Sequence, residues 1–251
     1  YGAEAYPNMS RMDWAIELYN WFNYYLKDMG EEPTAIAQVQ TNDGNWHAEE
    51  TWPPDDKEWK KITLDAAEST GGWVSSSASA SFTIAGFDEE VHISGLPTLH
   101  LSVNSPLIPC NGGQVFATMF DDETGLRLGH ATMDLRYRDG GYEANAVAPG
   151  QNYLMLMEFN SLDVILPAGH AIRVDLTESG EDYLPSPCAA TGIGVSLDQS
   201  SELGLPLIDR PDDAEPHRFA EALDVGRDAR GKQDAFLVCP DDRTATATVR
   251  I

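Results

Sequence analysis

Serine hydrolases of the α/β type carry Gly-x-Ser-x-Gly at a sharp strand-to-helix turn that holds the hydroxyl out for attack. The nearest approach in this chain is Gly194-Val195-Ser196-Leu197-Asp198, which lacks the second glycine and lies among β-type residues. Ser196 is therefore not read as a nucleophile. The six histidines (His47, His92, His100, His130, His170 and His217) lie far apart, without HExxH or other metal-ligand spacing. His100 and His130 fall on or beside strand-like runs, where a surface or hydrogen-bonded histidine is the ordinary case. Acidic pairs recur throughout, so no single pair marks acid–base catalysis. Asp121-Asp122-Glu123 and Asp241-Asp242 offer the oxygen ligands Ca²⁺ takes, but neither has EF-hand spacing, and both read as solvated turns. The sequence assigns no catalytic residue, no metal ligand and no cofactor.

Tryptophans are the remaining candidates. Trp14 and Trp21 fall on one face of a helical pattern; Trp46, Trp52, Trp59 and Trp73 gather in the stretch between that helix and a strand-rich region. Flat aromatic faces stack on sugar rings, line an apolar pocket or bury a seam between domains. The seam is the favoured reading, because the adjacent helix also demands burial.

Those residues are carried by a chain of 251 residues, 42% hydrophobic, enough for a large core and too apolar for general disorder. No apolar run approaches the roughly 20 residues of a membrane helix. Forty-one acidic against sixteen basic residues give a net charge of −25. Such a surface repels phosphate backbones and anionic headgroups, so neither nucleic acid nor membrane is an expected partner. Like-charge repulsion of this size is tolerable where salt screens it, which points to a salt-adapted, halophilic or marine organism. An acidic secreted protein is the plainer alternative, and the location leans extracellular. Cys110, Cys188 and Cys239 have no CxxC spacing. One disulfide is open but unassignable, and buried thiols are expected. The chain opens on Tyr1 with no signal-peptide pattern, and is expected to be part of something longer.

Residues 10–29 form the one convincing helix pattern. Trp14, Leu18, Trp21, Phe22, Tyr25 and Met29 follow helical spacing, with a Ser10/Asp13 cap and Gly30 as the stop. Its apolar face needs a partner, either the body of its own protein or a neighbour that has been removed. Ala35–Gln40 reads as a strand, Asn42–Asn45 as a turn, Trp59–Leu64 as a strand, and 66–80 as a long Ser/Gly/Ala-rich loop. From Ser81 onward alternation dominates: around Leu99–Val103 and Val115–Met119, over 131–138, then in Tyr153–Phe159, Leu162–Leu166, Ala171–Thr177 and Thr244–Ile251. Residues 209–234 are dense in Asp, Pro, Arg and Gly and read as a solvated excursion. Many short strands with turns between them predict a mainly β chain, a jelly-roll β-sandwich preceded by one amphipathic helix and a short linker region.

Taken together, these segments resemble the X-Pro dipeptidyl-peptidase/cocaine-esterase (CocE/NonD) family of serine hydrolases. Trp21-Phe22-Asn23-Tyr24-Tyr25-Leu26-Lys27 is similar to the family's "WFD-x-x-LK" helix, and Trp52-Pro53-Pro54 fits the strand that follows it. Val91-His92-Ile93-Ser94-Gly95-Leu96-Pro97 resembles the "I-x-G-x-P" start of the C-terminal jelly roll. Gly129 to Arg138 resembles "G-x-x-x-x-R-x-R", Pro167 to Arg173 resembles "x-x-G-H-x-I-R", and Ser201 to Pro206 resembles "S-x-L-x-L-P". The helix departs from the family in carrying Asn23 where an Asp is usual.

The resemblance implies a galactose-binding-domain-like jelly roll over 66–251 and the end of an α/β-hydrolase domain over 1–65. It places the Ser-Asp-His triad ahead of Tyr1, so no triad residue maps onto this chain. It further implies that the missing N-terminal hydrolase domain is the chief partner, that the jelly roll helps wall the substrate pocket, and that homo-oligomer contacts form. A fold shared with sugar binders does not establish sugar binding. The competing expectation is a free-standing carbohydrate-binding or extracellular assembly module, against which the tryptophan-bearing helix stands.

Overall fold

Alternation of apolar and polar residues places one side of each strand against a common interior, and the computed structural model shows the resulting sheets. It describes residues 12–33, 37–42, 46–104, 112–140, 142–180, 183–188, 191–209, 233–238 and 244–249. The chain divides into two compact units: one dominated by residues 51–211, the other built from residues 5–40, 44–50 and 212–251.

In the second unit, helix α1 spans Met12–Lys27 of the described residues, stopping short of the expected end at Met29. It ends three residues before the expected Gly30 stop. Asp28 takes the left-handed conformation (φ 53°), and the Met29 N–H turns back to the Asn23 carbonyl at 3.1 Å. The expected cap at Ser10 lies outside the described residues. Strands β1 (Ala37–Gln40) and β2 (Trp46–Glu49) pair antiparallel. The last two strands of the chain, Gln233–Val238 and Thr244–Val249, form a second antiparallel pair. Most of the expected excursion over 209–234 lies outside the described residues. Among the described residues no helix is long and apolar enough to cross a membrane.

The first unit is a β-sandwich. Its strands are β3 (Glu58–Thr63), β4 (Glu68–Thr70), β5 (Trp73–Val74), β6 (Ala80–Ile84), β7 (Val91–Gly95), β8 (Thr98–Asn104) and β9 (Gln114–Asp121). They continue with β10 (Arg127–Asp134), β11 (Asn152–Glu158), β12 (Leu162–Leu166), β13 (Ile172–Thr177), β14 (Ile193–Ser196) and β15 (Glu202–Ile208). One sheet runs β10-β9-β13-β6-β4; the other runs β12-β7-β15-β8-β14-β5, with β11 added to β8 and β3 to β15. Both β7 and β8 run antiparallel to β15, so they are one strand interrupted at Gly95–Pro97. Gly95 sits at φ 128° with Pro53 and Pro206 packed where a side chain would go. Strands β11 and β12 repeat the interruption opposite, and the Phe159 N–H closes the gap onto the Pro97 carbonyl at 2.8 Å.

The core lies between the sheets. Phe82, Ile93, Leu99, Leu101, Met119, Val164 and Leu203 are each 0–1% exposed. Asn160 ties one sheet to the other: its side-chain oxygen accepts from the His130 N–H at 2.7 Å, and its own N–H donates to the His130 carbonyl.

Three expectations are corrected. The stretch over 66–80 is not a free loop, because β4 and β5 add to one edge of each sheet. The alternating run over 131–138 does not stay extended. Strand β10 ends at Asp134, whose carboxylate accepts the Arg136 N–H (2.9 Å) and its guanidinium (3.0 and 2.6 Å), winding Leu135–Tyr137 into a 3-10 turn. Cys188 is disulfide-bonded rather than a thiol. Strand β3, which precedes residue 65, pairs with β15 inside the sandwich.

Phe82→Ala, which opens a cavity between the sheets, is expected to cost about 3–5 kcal/mol of unfolding free energy in urea titration. Leu154→Thr on the outward side of β11, by contrast, should stay within about 0.5 kcal/mol.

Candidate functional site

Because Leu99, Leu101 and Val103 of β8 point inward, His100, Ser102 and Asn104 point outward, and the same parity applies to each neighbour. Across this outer face Gly204, Thr98 and Glu158 share one row, Glu202, His100 and Leu156 the next, and Gly194, Asn104 and Asn152 a third. Trp59 of β3 and Trp73 of β5 lie on that face. Each rests on a glycine. A Cβ on Gly204 would meet the Trp59 ring at 3.3 Å and the Thr98 hydroxyl at 2.6 Å; one on Gly194 would meet the Trp73 ring at 3.4 Å. The two rings stay 46% and 40% exposed. They do not cluster: Gly204 and Gly194 stand opposite Thr98 and Asn104, six residues apart on β8, which is about 20 Å. Leu154 and Leu156 of β11 (51% and 46% exposed) are further exposed apolar side chains of this face.

The other tryptophans take different positions. Trp52, half-buried beside the cis bond to Pro53, donates its indole N–H to the Ser161 hydroxyl. Trp21 of α1 is 46% exposed, against Phe22 (5.3 Å between ring centres) and Tyr25 (4.7 Å). Trp14 lies on α1 and Trp46 on β2; their side chains fall outside the described residues. The helix is inverted relative to an ordinary surface helix. Leu18, Trp21, Phe22, Tyr25, Leu26 and Met29 are 39–72% exposed, while Asn23 is 4% exposed, its side-chain Oδ1 taking a bond from the Lys27 ammonium at 3.0 Å.

Sequence reading missed the meeting of His92 and Asp163, because only strand pairing brings them together. His92 Nε2 lies 2.9 Å from Asp163 Oδ1, and Ser94 stands opposite Asp163 in the β7–β12 register. The residue types are those of a hydrolase triad, but the Ser94 hydroxyl is fully buried and makes no hydrogen bond. No substrate reaches it, and the group is structural. Ser196 ends strand β14 opposite Ser102, without a nucleophile elbow.

The acidic turn Asp121-Asp122-Glu123 is tied down rather than simply solvated. The His170 imidazole contacts both Asp121 oxygens (3.1 and 3.0 Å), the Thr124 hydroxyl donates to Asp121 at 2.6 Å, the Ala171 N–H donates to Glu123 at 2.6 Å, and Arg173 donates to Asp122 at 2.7 Å. Asp121, Glu123 and His170 place three possible metal-ligand atoms within 4.8 Å of one another. Each already bonds within the protein, and the arrangement locks the β9–β10 turn to the β12–β13 turn.

Among the described residues no serine, histidine and carboxylate converge on an accessible nucleophile, and the fold is a β-sandwich. The family profile of the X-Pro dipeptidyl-peptidase C-terminal non-catalytic domain matches residues 28–203, and the chain belongs to that family. Solved structures with a similar fold include a CocE/NonD family hydrolase from Staphylococcus aureus (12% identity, TM-score 0.56, 76% of this chain and 45% of that one). An aminopeptidase from a marine sediment archaeon, Thaumarchaeota archaeon, is similar at 12% identity and TM-score 0.55, over 76% of this chain and 43% of that one. An α-amino acid ester hydrolase is similar at 13% identity and TM-score 0.50, over 76% and 44%. The chain thus spans a little under half the length of these hydrolases. No curated protein matches it by sequence.

Burial by itself would raise the Asp121 carboxyl pKa. The hydrogen bonds from Thr124 and His170, the His170 charge and the Glu123 N–H outweigh it and hold the carboxyl below its ordinary value. A folded-state value below the unfolded one stabilises the fold above about pH 4 and loses that contribution as the pH falls through the lower value. Asp121→Asn is therefore expected to cost about 1–3 kcal/mol at pH 7 in urea unfolding. The gap to the native protein should narrow below about pH 4.

Proposed function

We propose that the chain is the non-catalytic C-terminal region of an X-Pro dipeptidyl-peptidase/acyl-esterase-like serine hydrolase, where it walls the substrate pocket and supports domain or subunit packing. The family match supports a non-catalytic hydrolase domain with an N-terminal hydrolase partner. The single observation that carries the packing role is the inverted helix. Six apolar side chains from Leu18 to Met29 face outward on α1 and the turn that follows it while Asn23 is buried, an arrangement that is costly in water and natural beneath a neighbouring domain. Trp59, Leu154 and Leu156 form a second apolar area on the sandwich. Trp21 and Trp59 then belong to surfaces covered by the hydrolase domain, and substrate chemistry resides in that domain.

Two measurements test this. The isolated chain should hydrolyse neither an X-Pro-p-nitroanilide nor a p-nitrophenyl ester above a heat-killed control; turnover would refute the proposal. Leu26→Asn should change the stability of the isolated chain by less than about 0.5 kcal/mol, and lower that of the full-length hydrolase by more than about 1 kcal/mol. Equal effects in both would remove α1 from the domain contact.

A further inference from the structure

Cys188 is the described member of a disulfide, and the chain offers two partners for it, Cys110 and Cys239. Cys188 is 6% exposed, and its backbone is fixed on both sides. Its N–H donates to the Ser186 hydroxyl at 3.1 Å, and its carbonyl oxygen accepts the Thr191 and Gly192 N–H groups at 2.9 and 3.1 Å. Both candidate partners lie outside the described residues. Cys110 falls in the connection between Asn104 and Gly112, and Cys239 follows the strand Gln233–Val238 of the second unit.

Strand order separates the two candidates. The chain crosses from one sheet to the other between β8 and β9, over residues 105–113, and crosses back between β13 and β14, over residues 178–192. The two crossings begin and end side by side. Gly194 of β14 stands opposite Asn104 at the end of β8, and Thr177 at the end of β13 stands opposite Phe116 near the start of β9. Gly113, the last residue before β9, is packed on the residue that opens β14: a Cβ on it would meet the Ile193 Cβ at 3.1 Å.

Cys110 belongs to the first crossing and Cys188 to the second. The chain from Cys110 to Gly113 reaches at most about 11 Å, and bonded cysteines hold their Cα atoms about 4.4–6.8 Å apart. The turn closed by the Gly192 N–H on the Cys188 carbonyl brings Cys188 back toward Ile193, the residue Gly113 touches. We infer that Cys188 is bonded to Cys110, a crosslink between the two crossings at one end of the sandwich. Forming it takes two protons and two electrons from the two thiols; the acceptor is a protein disulfide, which exchange reduces to its dithiol. Cys239 keeps its thiol. The bond closes a loop of roughly 80 residues, which restricts the unfolded chain and so favours the folded one. This pairing does not depend on the hydrolase reading.

The chain would be produced in a bacterial periplasm, purified without reductant, unfolded and alkylated with N-ethylmaleimide, then digested with trypsin and chymotrypsin and mapped by mass spectrometry. A linked pair of peptides containing Cys110 and Cys188 is expected, with the label on Cys239 alone. Cys110→Ser and Cys188→Ser should each free the other cysteine for labelling. Both should lower Tm by the same amount, about 5 °C or more, and the double variant should lower it no further. Cys239→Ser should remove the label and leave Tm unchanged. If serine at either bonded position prevents folding, the peptide map of the unaltered chain still decides. A pair linking Cys188 to Cys239, or label on all three cysteines, overturns the inference. So does an equal loss of Tm in Cys239→Ser and Cys188→Ser.

Discussion

One interior shared by two sheets sets the phase of every strand in this protein. Once Leu99, Leu101 and Val103 are committed to the core, His100, Ser102 and Asn104 have nowhere to point but outward, and hydrogen-bonded pairing passes the same parity to β11, β14 and β15. The positions of Trp59 and Trp73 follow from that commitment. Glycine at 204 and 194 leaves room for each ring to lie on the sheet, so a bulky aromatic is accommodated without displacing the backbone. A slip of one residue in β3 or β5 would turn either ring into the core.

The ends of the strands are held by polar groups rather than by the core. Asn160 crosses from the interruption between β11 and β12 to the His130 backbone of the opposite sheet. Asp121 gathers bonds from His170, Thr124 and the Glu123 N–H, tying two turns that are far apart in sequence. Buried groups of this kind are stable only when satisfied, so they fix one arrangement of loops.

The two units present contrasting surfaces. The sandwich completes its own core, while α1 turns its apolar stripe outward and buries Asn23. The chain belongs to a non-catalytic hydrolase domain family, and its sandwich folds around its own core. The buried trio of Ser94, His92 and Asp163 shows why residue types alone do not make a catalytic site, since the hydroxyl is sealed from solvent.

Period-two alternation made the β class readable from Leu99–Val103 or Val115–Met119 alone, and the spacing of Leu18, Trp21, Phe22 and Tyr25 made the helix readable, because both are local periodicities. The ordered set of family-like segments was legible for the same reason, as each lies within one short stretch. The end of β10 at Asp134 was not, since a side chain competing for a backbone N–H leaves the alternation of 131–138 intact. Nor were the edge strands β4 and β5, whose few residues gain order only by adding to sheets already formed. The separation of Trp59 from Trp73 and the meeting of His92 with Asp163 depend on strand order and register. Sequence by itself determined which faces are apolar. Tertiary structure decided what those faces meet, because contacts between distant residues are set by how whole strands pair.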